Sequence, residues 1–300
     1  MTARVLVQAP ATSANLGPGF DAAGIALDWW DSLEAVVAPT PAPLRVSGEQ
    51  AELIPTGPDN LVLLAMERLA AAVGGTLPPV RLSMVKRFPL GRGFGSSAAA
   101  VALGLLAARE LLAPGLPQAE LLPLATELEG HPDNAAACLA GGATLSWRED
   151  GVARARAVEV HPELVAVALV AAEPMATVEA RRLLPELVPF AAAARTAGRA
   201  ALLPLALAGE FELLAPATED ELHQPARLAA QPAAAALLAA LRGRGHAAFL
   251  SGAGPSLLLL TPRAYLAAAR ADAAEALAAA PGWRMRTLEV ARGGARARRA

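Results

Sequence analysis

The sequence predicts an α+β fold, and three observations carry that reading. Residues 80–85, 164–170 and 257–260 are alternating or continuously apolar runs of strand length. Residues 60–73 and 264–279 are longer runs with helical character, the first spaced through Leu61, Leu64, Ala65 and Leu69. The two kinds of segment are mixed along the chain, and no period marks a repeat architecture.

From the N-terminus, residues 5–7 read as a short strand. They run into Ala9-Pro10-Ala11-Thr12-Ser13-Ala14-Asn15-Leu16-Gly17-Pro18-Gly19-Phe20-Asp21, whose Pro, Gly, Ser and Asn content predicts an irregular loop. Residues 33–37 and 44–46 are short β-type runs, and the helix at 60–73 stops at Gly74-Gly75. The strand at 80–85 feeds a Gly-rich loop and then an apolar helix through Leu112. A helix at 120–129 ends in Gly130-His131-Pro132-Asp133-Asn134, and Gly141-Gly142 precedes a strand near 143–147. The turn Glu149-Asp150-Gly151 divides the chain into an N-terminal domain, 1–150, and a C-terminal domain, 151–300. Beyond it, 164–170 is a strand, while 177–184, 191–207 and 233–241 are helical. Strands at 247–250 and 257–260 flank Ser251-Gly252-Ala253-Gly254-Pro255-Ser256. A helix at 264–279 and a strand at 283–290 follow, and the last ten residues, with four arginines, are expected to fray as a solvated tail.

Composition narrows the function. With 300 residues, 54% of them hydrophobic, the chain can bury a sizeable core. A net charge of −2 provides no global field for nucleic acid or a membrane surface. Pro, Gly or charge interrupts each apolar stretch before about 18 residues, so no membrane span is predicted. The N-terminal run is too short and strand-like for a signal peptide. Cys138 is the single cysteine, which excludes an internal disulfide and a cysteine-based zinc site and suits a reducing cytoplasm. Lys86 is the single lysine among 26 basic residues. No Gly-x-x-x-x-Gly-Lys-Ser/Thr phosphate loop exists, and only Lys86 could form a Schiff base.

Four segments could carry chemistry. In Pro89-Leu90-Gly91-Arg92-Gly93-Phe94-Gly95-Ser96-Ser97-Ala98-Ala99-Ala100, three alternating glycines lead into two serines and an apolar helix. Glycine permits φ > 0 and close backbone approach, and unpaired N–H groups at a helix start favour an anion such as a nucleotide phosphate. The plainer alternative is a turn before a buried helix. Asn15 and Asp21 could face one ligand or satisfy their own backbone in an Asx-turn. Glu127-Leu128-Glu129-Gly130-His131-Pro132-Asp133-Asn134 concentrates four ionisable groups and an amide. A carboxylate there could hold Mg²⁺ beside a substrate phosphate, or the run could be a solvated helix end. The 251–256 segment is either another close backbone approach or a tight hairpin. Thr177, Arg181 and Arg227 are isolated polar groups, and Arg suits bidentate carboxylate binding as well as a surface ion pair.

Taken together, residues 10–21, the 89–100 loop, the 129–134 segment and the 251–256 segment resemble the homoserine kinase family. That family lies within the galactokinase, homoserine kinase, mevalonate kinase and phosphomevalonate kinase superfamily. The motifs occur in family order across nearly the whole chain. The resemblance implies ATP-dependent phosphorylation of L-homoserine to O-phospho-L-homoserine in threonine biosynthesis. It implies a left-handed βαβ unit in the N-terminal domain and a ferredoxin-like C-terminal domain. Residue by residue, it places Pro89, Leu90, Gly91, Arg92, Gly93, Phe94, Gly95, Ser96, Ser97, Ala98 and Ala99 at ATP, with Asn60 near the adenine. Ser97 and Glu129 would hold Mg²⁺, with Glu127 a rival. Asn15, Asp21, His131, Asn134, Thr177, Arg181, Arg227 and Gly252 would meet homoserine. Asn134 and Arg181 would take catalytic roles, Asn134 by orienting the acceptor hydroxyl; Asp133 fits the superfamily's base position loosely, and the homoserine branch works without a dedicated base. Phe94 stands where the family usually has Leu, and the Arg-rich tail has no counterpart. ATP and L-homoserine are the implied partners, without nucleic acid or membrane, and a homodimer is open. Mevalonate-type kinases are the nearest rival, commonly with Lys in the first loop, whereas residues 1–21 hold none. A non-catalytic nucleotide-binding module is the rival from another class.

Overall fold

A computed structural model describes residues 3–40 and 42–300, apart from the side chain of Thr177. The chain runs β1 (Arg4–Asn15), β2 (Gly19–Val37), β3 (Arg45–Gly48), α1 (Leu61–Ala72), β4 (Val80–Lys86), α2 (Ser96–Leu112), α3 (Leu121–Glu129), α4 (Asp133–Ala140), β5 (Ala143–Glu149) and β6 (Val152–Val158). It continues β7 (Leu164–Val170), α5 (Thr177–Arg182), α6 (Phe190–Ala208), α7 (Leu214–Ala217), α8 (Gln224–Ala229), α9 (Pro232–Gly243), β8 (Ala247–Leu250), β9 (Leu257–Pro262), α10 (Leu266–Leu277), β10 (Arg284–Glu289) and β11 (Arg296–Arg299).

Two sheets organise these elements. The first has the order β11-β1-β2-β4-β3, with the β5–β6 hairpin joined to β2. Its parallel pair β3–β4 is bridged by α1, a βαβ unit. The second sheet is antiparallel in the order β10-β7-β9-β8, the 4-1-3-2 arrangement of a ferredoxin-like fold. β7 is buried on both faces, as its unbroken apolar run requires. Leu164, Ala166, Ala168 and Val170 join the larger core with the first sheet, while Val167 and Leu169 face α9 and α10.

Two expectations need correction, and the turn at 149–151 has a particular setting. Residues 9–21 are mostly strand, not irregular loop: β1 and β2 form an antiparallel hairpin whose tip is Asn15 to Gly19. The segment hides its strand because Ala9, Ala11, Thr12, Ser13 and Ala14 are all buried, so no alternation shows, and Pro10 sits at a register shift. The tail does not fray, since β11 pairs with β1 from Val5↔Arg299 to Gln8↔Arg296. Arg296 donates to Gln8 Oε1 and lies over the Trp30 ring. The turn at Asp150-Gly151 joins β5 to β6 inside the first sheet, so the second sheet begins only at Leu164.

Candidate active site

The Gly-rich loop spans the junction of the two sheets. Gly91, Gly93 and Gly95 all have positive φ, at 62°, 81° and 62°. A Cβ on Gly93 would overlap the Ser251 carbonyl, and one on Gly95 would overlap Thr12 Oγ1. Each lobe pins the loop: Ser251 Oγ donates to Gly93 O at 2.7 Å, and Thr12 N–H donates to Phe94 O at 3.1 Å. The Leu90 N–H donates to Gln50 Oε1 at 2.8 Å, and the Met175 N–H donates to Gly91 O at 2.8 Å. Arg92 faces away from the opening and donates to Ala171 O, Leu90 O and Ala172 O at 3.1, 2.8 and 2.6 Å. Phe94 packs its buried ring 5.7 Å from that of Trp29. Among the described residues, the N–H groups of Ser96, Ser97 and Ala98 have no protein partner. The start of α2 therefore presents free donors and the positive end of its dipole to the cleft.

That cleft has a volume of about 1000 Å³. Leu90, Gly91, Gly93, Phe94, Gly95, Ser96 and Ser97 line it, whereas Pro89, Arg92, Ala98 and Ala99 do not. Asn60 also lines it, together with the apolar Leu53, Ile54 and Pro55. Its side chain caps α1, accepting from Val62 N–H at 2.8 Å and donating to Pro55 O at 2.6 Å.

Ser97 Oγ donates to Glu129 Oε2 at 2.8 Å. Burial pushes the Glu129 carboxyl above the ordinary range, while the Ser97 hydroxyl and His131 pull it down. Glu127 points elsewhere and pairs with Arg68 at 2.7 Å. A hydroxyl and a carboxylate are hard oxygen donors, and two of them match Mg²⁺ when phosphates supply further ligands. The donor set thus fits that ion at Ser97 and Glu129.

The opposite wall is built from long-range contacts. Asn15, Leu16 and Asp21 hold positive φ at 67°, 47° and 55°, a strained hairpin tip. Asn15 Nδ2 donates to Gly252 O at 2.9 Å, and its Oδ1 accepts from Asp21 N–H at 3.0 Å. Asp21 takes both terminal nitrogens of Arg181, at 3.0 and 2.7 Å, which lifts the Arg181 pKa. Arg181 is therefore held by Asp21 rather than standing as a free cation. His131 Nδ1 donates to Asp133 Oδ1 at 2.6 Å, and that oxygen also accepts from Asn134 N–H at 2.7 Å. Burial lowers His131, but Asp133 and Glu129 outweigh it and its pKa is raised. Asn134 Oδ1 accepts from Thr12 Oγ1 at 2.7 Å. Arg227 is 2% exposed, and burial followed by Arg181 lowers its pKa. Thr177 opens α5, but its side chain lies outside the described residues.

Two groups that support the cleft residues received no role from the sequence reading. Lys86 Nζ pairs with buried Asp31 and donates to Ser96 Oγ at 2.8 Å, directly behind the phosphate loop. Burial pushes Asp31 up and Lys86 down against their mutual attraction. Alternation with Leu82 and Met84 places Lys86 on the inner face of β4, a signal present in the sequence. Thr12 is the other: it lies inside the 10–21 segment, but its contact with Asn134 spans 122 residues.

Residues 60–142 match the family model for the GHMP kinases N terminal domain. A homoserine kinase of Streptomyces coelicolor is 47% identical over 279 residues, 92% of this chain and 89% of that protein. One from Streptomyces avermitilis is 46% identical over 265 residues, 87% of each chain. The crystal structure of homoserine kinase from Cytophaga hutchinsonii matches with a TM-score of 0.87 at 26% identity, over 98% of this chain and 97% of that one. Fold and cleft together define a kinase of the GHMP type. The identities over nearly full length go further, and the chain belongs to the homoserine kinase family.

Proposed function

We propose that this protein transfers the γ-phosphoryl group of ATP to the side-chain hydroxyl of L-homoserine, giving O-phospho-L-homoserine on the route to threonine. The observation that carries this reading is a single cleft. The free amides at the start of α2 face, across it, a wall of Asn15, Asp21, Asn134, Arg181 and Arg227. Phosphoryl transfer demands positioning and charge neutralisation more than covalent help.

The amides of Ser96, Ser97 and Ala98 receive the phosphates. Ser97 and Glu129 hold Mg²⁺, which neutralises developing phosphate charge when bound. The apolar end near Asn60 takes the adenine. Homoserine is a zwitterion, so its ammonium goes to Asp21 and its carboxylate to Arg227 and Arg181. The substrate thereby exchanges with the existing Asp21–Arg181 pair. Asn134, with its Oδ1 tied to Thr12, offers its amide N–H to the acceptor hydroxyl. Asp133 Oδ1 is committed to His131 and the Asn134 main chain, and phosphoryl transfer needs no dedicated protein base in this reading. No described helix is long and apolar enough to cross a membrane; with a single buried cysteine, a cytoplasmic enzyme is the reading we favour.

Asp21→Asn tests the pocket. Loss of an ionised partner for the ammonium costs about 1–3 kcal/mol, so the KM for homoserine should rise about tenfold to a hundredfold. The KM for ATP should stay within about twofold, because Asp21 lies on the wall facing the phosphate loop. Steady-state ADP release measures both, and an unchanged homoserine KM would move the ammonium site elsewhere.

A further inference from the structure

His223 immediately precedes α8, four residues before Arg227, and is 1% exposed. Its two ring nitrogens are both engaged. Nε2 lies 2.8 Å from Gly17 O, which can only accept, so Nε2 carries the hydrogen. Nδ1 lies 2.9 Å from Arg227 Nη1, which can only donate, so Nδ1 is the bare acceptor. Asp220 does not compete for the ring. Its carboxylate is 3.6 Å from Nε2 and accepts the N–H groups of Leu222, His223 and Gln224 at the start of α8.

The guanidinium of Arg227 has few other restraints. Its bonds to Ala180 O and Gly252 O are both long, at 3.4 Å. Phe20 lies against it at 5.3 Å and against the His223 ring at 5.2 Å, so the three groups stack as one block. Among the described residues Nη2 has no protein partner, and Arg227 lines the cleft. One short hydrogen bond therefore decides how a long, rotatable side chain presents its free nitrogen. The same imidazole grips Gly17 at the tip of the β1–β2 hairpin, which carries Asn15 and Asp21.

We propose that His223, as a neutral Nε2–H imidazole, is the positioning residue that aims Arg227 at the carboxylate of the acceptor. This rests on the proposed homoserine reading. A neutral ring is required, since a proton on Nδ1 would confront Arg227. Burial holds His223 below the ordinary histidine range, against the pull of Asp220, with Arg227 acting in the same sense as burial.

Two amides separate the ring's two contacts. In His223→Asn the amide oxygen occupies roughly the Nδ1 position and can accept from Arg227. In His223→Gln the amide nitrogen reaches roughly the Nε2 position, keeps the Gly17 bond and leaves Arg227 Nη1 only its long bond to Gly252 O. Steady-state kinetics should give a KM for homoserine raised about tenfold in His223→Gln, as for one lost bond to a charged group. The kcat and the KM for ATP should move less than about twofold, and His223→Asn should recover most of the affinity. The defect should vanish with 3-aminopropan-1-ol, which keeps the ammonium and hydroxyl but has no carboxylate. Equal homoserine KM values in wild type and His223→Gln would overturn the proposal, as would a defect that persists with the amino alcohol. Should either variant fail to fold, ¹⁵N-histidine NMR of the wild-type enzyme decides, with a neutral Nε2–H tautomer expected at pH 7.5. An Nδ1–H tautomer or an imidazolium there would refute it. Absence of homoserine phosphorylation by wild type would instead strike the proposed function, leaving the tautomer result to speak for the geometry.

Discussion

Glu129 concentrates the conflict between stability and function at the level of one side chain. Its carboxyl is raised by burial, so in the folded state it gives up its proton less readily than in the unfolded chain. A group with a raised folded pKa contributes stability that is present at acid pH and lost as pH rises through that pKa. Above the carboxyl's unfolded-state pKa this group therefore burdens the fold, a cost consistent with the metal-ligand role proposed for it. Glu129→Gln should raise the melting temperature at pH 7.5, with the difference shrinking toward pH 4, while kcat falls about a hundredfold or more through loss of the proposed metal ligand. Glu127→Gln should change kcat less than about twofold, because Glu127 is exposed and pairs with Arg68. Calorimetry and ADP release test both, and a reversed ranking of the two glutamates would move the metal site. Both glutamates are visible in the sequence, but only the turn into Gly130 decides which one meets Ser97, 32 residues earlier. The Lys86–Asp31 pair spans 55 residues, so neither partner announces the other locally.

Elements were legible where they carry a period or a stop signal. α1 occupies Leu61–Ala72 within the expected 60–73, capped by Asn60 and followed by glycines. The helix after the Gly-rich loop begins at Ser96 as the serine pair suggests. The second half of β1 and the whole of β11 are hidden in the sequence for opposite reasons, although residues 5–7 already read as strand. β1 is small-residue and buried throughout its second half, which erases alternation, and β11 is arginine-rich, which imitates a solvated tail. Charged residues are a common defence of an edge strand against unwanted pairing. Deleting residues 296–300 should thus expose the β1 edge and lower stability by about 1–3 kcal/mol, the loss of a few ladder hydrogen bonds. Urea unfolding together with light scattering would register a lower midpoint and more aggregation. An unchanged midpoint would restore the view of this segment as a dispensable tail.

Across the whole molecule, the active cleft depends on contacts between the two sheets that no local pattern encodes. Arg92 ties the phosphate loop to the end of β7, Ser251 ties it to the loop between β8 and β9, and Asn15 reaches Gly252 over 237 residues. The sequence motifs named most of the wall residues. They did not reveal that Arg181 and Asp21 already pair, that Arg92 turns away from the cleft, or that Gly95 packs on Thr12. The last point rules out Gly95→Val as a clean probe of nucleotide binding, since the added side chain would also push against β1. The central claim is that this wall recognises a zwitterionic hydroxy acid beside bound ATP. Mevalonate carries a carboxylate without an ammonium, so drawing Arg181 onto that carboxylate would take from Asp21 its present partner and give it no cation in exchange. The most direct measurement is coupled ADP release by the wild-type enzyme with homoserine, serine and mevalonate as acceptors. The kcat/KM for homoserine should exceed that for mevalonate by about tenfold to a hundredfold or more. Comparable turnover of mevalonate, or ATP binding with no homoserine-dependent ADP release, would contradict it.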